Sequence, residues 1–308
     1  MNLKKFSFFA ALIFIAISLF TFTTQIMGSK LNKAVGRTNI VITADSTYLF
    51  SFPNSANDSL VILSIPGDAY VTVPFGYGEY QLQKLGSLAQ LEQKQELVGQ
   101  TVADLLGVYV NGYVDLGSLK LTGDEILASS KNLRFLLTLL RGDVMTDLNQ
   151  IDRIQLLRLV LTGNPLTTTV YDLEAAPLVF ANRELPDGMQ VKQISENALD
   201  NFLANKFELA GMRQDNLSIR VANTTDTPLV GQKFARYLSH FGGKVVTVDN
   251  SSRAVAGCRV EYLASAGRSI LLKYLKNYFN CELSLSVEDG EGIEVTVYLG
   301  SDFVGRWK

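Results

Sequence analysis

The chain is 308 residues long, 47% hydrophobic and 19% charged, the profile of a globular rather than a disordered protein. Its formal net charge of −2 gives no electrostatic reason to expect nucleic-acid binding. With one histidine, His240, and two cysteines, Cys258 and Cys281, a zinc site of about four His and Cys ligands is not expected, and any histidine-based catalytic arrangement would have to run through His240.

Lys4 and Lys5 precede an uncharged apolar run over 6–27, 22 residues long. At ~1.5 Å per residue it reaches roughly 33 Å, enough for a ~30 Å hydrocarbon core. It lacks the periodicity of a core helix. Its end, Thr21-Phe22-Thr23-Thr24-Gln25-Ile26-Met27-Gly28-Ser29, lacks a clean small-x-small cleavage site, and no lipid-acceptor cysteine follows. Residues 1–33 are therefore expected to form a short tip and an uncleaved transmembrane signal anchor, the tip taken as cytoplasmic because an N-terminal anchor commonly inserts that way. Lys30, Lys33 and Arg37 lie beyond the span, so the positive-inside count does not set orientation.

Residues 39–43, 46–52, 60–65 and 69–73 read as strands, the second and third joined through the turn cluster Pro53-Asn54-Ser55-Ala56-Asn57-Asp58. Gly76-Tyr77-Gly78 does not extend to a dinucleotide fingerprint, because Gln81 occupies the last glycine position. Apolar residues recur at helical spacing over 82–106, with Leu91, Leu97, Val98, Val102, Leu105 and Leu106 placed on one face and Gly107 as the stop. A strand over 108–116, helices over 124–140 and 147–161, and strands over 167–173 and 178–180 follow. Ser195 reads as the N-cap of a helix ending before Gly211. The polar stretch 212–216 reads as a joint between domains at 38–212 and 216–304.

Beyond the joint, strands at 217–223, 244–248, 259–263, 282–287 and 293–299 alternate with helices at 228–241 and 268–279. That alternation predicts a small βαβ-type domain. His240, near the end of the first of these helices, reads as a helix C-terminal cation or a solvated side chain. The fold class expected is α/β (α+β): a transmembrane helix, an α/β domain and the small C-terminal domain.

The C-terminal segment resembles the LytR C-terminal domain of envelope proteins. The resemblance is carried by Ile219-Arg220-Val221-Ala222-Asn223-Thr224-Thr225, by Phe241-Gly242-Gly243-Lys244-Val245-Val246 and by Leu299-Gly300-Ser301-Asp302-Phe303. The preceding part resembles a shortened, divergent LytR-CpsA-Psr (LCP) domain. Its motifs are Asp45-Ser46-Thr47, Leu63-Ser64-Ile65-Pro66-Gly67-Asp68-Ala69-Tyr70-Val71, Leu105-Leu106-Gly107-Val108-Tyr109-Val110-Asn111-Gly112-Tyr113 and Asp147-Leu148-Asn149-Gln150-Ile151-Asp152-Arg153-Ile154-Gln155.

The resemblance implies a single-pass membrane protein with a cytoplasmic N-terminus and its bulk outside. It also implies transfer of a glycopolymer from a polyprenyl-pyrophosphate carrier to peptidoglycan with magnesium. Such chemistry needs arginines gripping phosphate oxygens, and carboxylates for a hard cation and for the acceptor proton. By the resemblance Asp68 and Arg153 occupy catalytic positions, and Asp45 and Asp68 metal-ligand positions.

Two arginines of the family pattern are absent: Gly67 and Gln150 stand in their places. Arg134 and Arg141 are further cations whose spacing assigns them no role. The reading is therefore a pseudoenzyme-like binding or scaffolding protein of cell-wall assembly, with no cofactor and no nucleic acid. Its partners would be the membrane and peptidoglycan or its assembly proteins. The alternative is an active glycopolymer phosphotransferase using magnesium. Outside the cytoplasm Cys258 and Cys281 could form a disulfide; the rival reading is two small buried hydrophobes.

Overall fold

The computed structural model describes residues 3–54, 58–117, 136–139, 144–162, 167–186, 188–286 and 292–304, with side chains in the first helix described from Ile13 onward. Arg134, Arg141 and most of the helix expected over 124–140 lie outside the described residues; the part at 136–139 is helical. In chain order the helices are α1 (Leu3–Gly28), α2 (Leu85–Leu91), α3 (Leu97–Leu106), α4 (Gln150–Thr162), α5 (Glu196–Leu203), α6 (Ala210–Asp215), α7 (Val230–His240), α8 (Ile270–Phe279) and α9 (Ser301–Val304). The strands are β1 (Arg37–Thr43), β2 (Thr47–Pro53), β3 (Leu60–Ile65), β4 (Ala69–Val73), β5 (Gly78–Gln81), β6 (Gly112–Asp115), β7 (Met145–Thr146), β8 (Thr168–Asp172), β9 (Phe180–Glu184), β10 (Gln190–Ile194), β11 (Ser218–Asn223), β12 (Lys244–Asn250), β13 (Cys258–Tyr262), β14 (Glu282–Leu285) and β15 (Val295–Leu299).

Helix α1 leaves Phe14, Ile17, Phe20 and Met27 exposed. Among the described residues no helix is long and apolar enough to cross a membrane.

β1, β2 and β3 form an antiparallel meander, flanked by β6 parallel to β1 and β8 parallel to β3. Side chains alternate across this sheet, because strand residues point to opposite faces in turn. Ile40, Ile42, Tyr48 and Phe50 pack with Leu156 and Val160 of α4 on one face. Val41, Leu49 and Leu63 pack with Leu97, Val98 and Val102 of α3 on the other. Burial on both faces explains the unbroken apolar runs of these strands. A second sheet has the order β5-β4-β10-β9.

The apolar pattern over 82–106 is interrupted. Gln93 takes a left-handed conformation at φ 55°, and α2 and α3 are separate helices. Leu91, expected on the buried face, is 77% exposed. The strand expected over 108–116 shrinks to β6. Leu178 has φ 66° and is exposed, so the strand expected at 178–180 begins only at Phe180.

In the C-terminal unit the order is β12-β11-β15-β13-β14. β11–α7–β12 and β13–α8–β14 are two parallel βαβ units, as the alternation of elements required. The Leu-Gly-x-Asp-Phe motif has a steric cause at Gly300, where a Cβ would overlap the Val255 carbonyl oxygen. Cys258 and Cys281 are joined in a disulfide that ties β13 to the end of α8. The stretch 212–216 is not an open joint. Met212 is buried, Gly211 leaves no room for a Cβ beside Ile270, and Asp215 accepts a 2.8 Å hydrogen bond from the Ile270 amide.

Candidate functional site

The carboxyl ends of β1, β6, β3 and β8 lie at one end of the first sheet, the place where open α/β sheets bind ligands. Asp45, Asp68, Asp115 and Asp172 occupy those ends or the turns that follow. Asp45 caps its own turn, accepting from the Ser46 amide at 2.8 Å. Asp68 lies 3.1 Å from Lys192 Nζ, which also holds Glu174 at 2.6 Å. Asp115 accepts from the Gly117 amide at 2.8 Å and from Thr43 Oγ1 at 3.2 Å. Among the described residues no three His, Cys, Asp or Glu side chains converge as a metal site. At Gly67 a Cβ would lie 2.9 Å from the Asp45 carbonyl oxygen and 3.1 Å from Gln83 Cβ. An arginine there would require the backbone to move.

The segment around Arg153 performs a different task. Asn149 Oδ1 accepts from the Asp152 amide at 2.9 Å, and Asp152 Oδ2 accepts from the Asn149 amide at 3.4 Å, a reciprocal capping box at the start of α4. Asp152 is only 1% exposed. Its carboxylate also accepts from Ser29 Oγ at 2.6 Å, the Leu31 amide at 3.0 Å and the Lys30 amide at 3.3 Å. Asp147 pairs with Lys30 at 2.6 Å and accepts from the Tyr113 amide at 2.7 Å. Arg153 itself donates to the Leu148 carbonyl at 3.4 Å, and Gln150 is exposed. Asp68 and Arg153 share no partner among the described residues.

The third polar concentration joins the two halves of the chain, and none of its residues was expected at a site. Helix α3 ends on Gly107, left-handed at φ 59°. Like any helix end, it leaves carbonyls without intrahelical partners. Arg236 on α7 donates to the Asp104 and Leu105 carbonyls, each at 2.7 Å, while its Nε lies 2.6 and 2.8 Å from the two Asp200 oxygens. His240 Nδ1 lies 2.8 Å from the Leu106 carbonyl, in the geometry of a donated N–H. A Cβ on Gly107 would sit 2.9 Å from Arg236 Cγ and 3.0 Å from His240 Nδ1, so glycine is required here for both conformation and approach.

His240 is thus buried rather than solvated. Burial holds its pKa below the usual value despite the nearby Asp200 carboxylate, so the neutral ring is favoured where a helix-end cation was expected. Asp104 accepts from Tyr237 Oη at 3.3 Å and lies 3.9 Å from Lys233 Nζ. Burial raises its pKa to about 6, against the opposing pull of Lys233, the Tyr237 hydrogen bond and Arg236.

Two cavities flank this junction, and Asp104 and Tyr237 line both. One, of about 400 Å³, lies among α3, the Tyr109–Asn111 loop and the end of α8. Tyr109 stacks on Tyr278 there, with ring centroids 4.1 Å apart. The other, of about 890 Å³, lies between the β4–β5 hairpin and α7. Asp45, Asp68 and Arg153 line neither.

Residues 216–303 match the family model of the LytR cell envelope-related transcriptional attenuator. The match bears out the resemblance read from the C-terminal motifs. No curated protein matches the chain. Among solved structures, B. subtilis TagT is 15% identical, with a TM-score of 0.36, covering 54% of this chain and 88% of its own. B. subtilis TagV is 12% identical, with a TM-score of 0.37, covering 55% and 94%. An Enterococcus faecalis transcriptional regulator is 11% identical, with a TM-score of 0.41, covering 71% and 92%.

The junction residues had a legible signal. On α7 the apolar set Val230, Phe234 and Leu238 recurs every four residues, and a second set, Lys233, Arg236, Tyr237 and His240, recurs on another face of the same helix. A helix with two such stripes has two neighbours. The partner, three carbonyl oxygens of α3, carries no side-chain signature at all.

Proposed function

We propose that the chain is a single-span cell-envelope protein, N-terminus inside and bulk outside, that binds or scaffolds in cell-wall assembly without transferring glycopolymer. The observation that carries this reading is the role of the segment around Arg153. Where the resemblance calls for phosphate-gripping arginines, the Asn149–Asp152 capping box and Asp147 hold the chain that leaves α1. Gly67 and Gln150 remove two of the bidentate contacts that phosphoryl chemistry relies on. The uncharged run over 6–27 and the envelope-related match at 216–303 support the location.

External protease added to wall-stripped cells is the test of topology: loss of the folded bulk is expected, and full protection would overturn it. Co-sedimentation of the detergent-solubilised full chain with purified sacculi tests the binding role, and a protein left wholly in the supernatant would count against peptidoglycan as partner.

A second reading, glycopolymer transfer with magnesium, draws on one observation. Asp45, Asp68, Asp115 and Asp172 gather at the strand ends where α/β proteins place ligand chemistry.

A further inference from the structure

We propose that the 400 Å³ cavity between α3 and α8 binds an organic ammonium group, primary or quaternary. Its volume falls in the range of small-ligand sites. Four aromatic side chains line it: Tyr109, Tyr237, Tyr278 and Phe279. Three of them, Tyr237, Tyr278 and Phe279, are nearly fully buried, and Tyr109 stacks on Tyr278. The charged lining is three carboxylates, Glu96, Asp104 and Asp147, against one ammonium, Lys30. Lys30 is engaged with Asp147 at 2.6 Å. The cations nearest Asp104, Lys233 and Arg236, line the neighbouring cavity and not this one.

The lining therefore carries more negative than positive charge, with Lys233 and Arg236 offsetting part of Asp104 from the neighbouring side, and four of its side chains are aromatic. An anion is repelled. A neutral solute gains only apolar contact. An ammonium group carrying methyl or methylene groups gains both, because a cation is attracted to aromatic rings and carboxylates while its carbon shell suits an apolar wall. Lys30 lies two residues beyond the end of α1, so both a soluble molecule and a lipid headgroup are sources of the group.

This inference does not rest on the envelope reading, and either can fail alone. The test is calorimetric titration of the full chain, in detergent, with choline and with 3,3-dimethyl-1-butanol, which has the same shape and no charge. Saturable choline binding, at least about tenfold tighter than the neutral analogue, is expected, a factor that corresponds to about 1.4 kcal/mol. Glu96→Gln, at an exposed position, and Asp104→Asn should each weaken choline several-fold without changing the analogue. Equal affinity for the two compounds, no binding of either, or choline binding untouched by both substitutions would overturn the proposal. Repeating the choline titration in phosphatidylcholine and in phosphatidylglycerol nanodiscs separates the sources. Weaker choline binding in phosphatidylcholine discs marks a lipid headgroup as occupant, and equal binding marks a soluble ligand.

Discussion

Replacing Arg236 by alanine should loosen the two halves of the chain from each other. Its side chain is 17% exposed, and its guanidinium serves three acceptors: the Asp104 and Leu105 carbonyls and the Asp200 carboxylate. Removing it leaves two helix-end carbonyls and a half-buried carboxylate without their donor. Breaking a buried charge pair from one side costs about 3–5 kcal/mol. Water can enter from the adjoining 890 Å³ cavity and solvate part of what is left, so the lower end, about 3 kcal/mol, is expected. Arg236→Lys keeps the charge at the α3 C-terminus but has no planar fork to span three acceptors, and should lose roughly half as much. Equilibrium denaturant unfolding gives the totals, and amide hydrogen exchange should show faster opening over Leu97–Leu106 in the alanine variant. If both variants unfold within about 0.5 kcal/mol of the parent, the trans-capping account is wrong.

Asp152→Asn should destabilise by roughly 2–3 kcal/mol, because an amide presents a donor to backbone N–H groups that need an acceptor; faster proteolysis within 29–36 at unchanged C-terminal protection is the readout. Reducing the Cys258–Cys281 bridge, which closes a sequence separation of 23 residues, should cost about 3 kcal/mol by chain entropy, and thiol counts should rise from none to two per chain. For Asp104 the raised pKa means that the folded state holds the proton more tightly. Its contribution therefore falls as pH rises from about 4 to about 6, and the stability of Asp104→Asn relative to the parent should grow over that window by on the order of 3 kcal/mol. A pH-independent difference would contradict this. His240 works in the opposite sense: with its pKa lowered, stability is lost as pH drops below 6.5.

Much of the architecture could be read from periodicity. The β1–β2–β3 meander and both βαβ units of the C-terminal domain follow from runs whose period is either two or close to four. What failed to show was tertiary. Leu91 fits an apolar helical face on paper, but the left-handed Gln93 breaks the helix and turns that residue to solvent. His240 looks like a helix-end cation because the sequence names only its own helix, and the α3 carbonyls that bury it lie more than 130 residues away. Motif matching at 147–155 located a segment with a definite task, but the task was set by Ser29, Lys30 and Leu31, whose contribution is largely backbone. Gly67 was read as a lost arginine. In the structure the Asp45 carbonyl and Gln83 lie so close to Gly67 that no side chain fits there without a shift.

The most direct measurement of the central claim is a transfer assay. The full chain is supplied with magnesium, a polyprenyl-pyrophosphate-linked glycan and a peptidoglycan acceptor. Product at the level of a protein-free control is predicted, with Asp68→Asn making no difference. Multiple turnovers that disappear in Asp68→Asn would contradict the account and establish the chain as a working transferase.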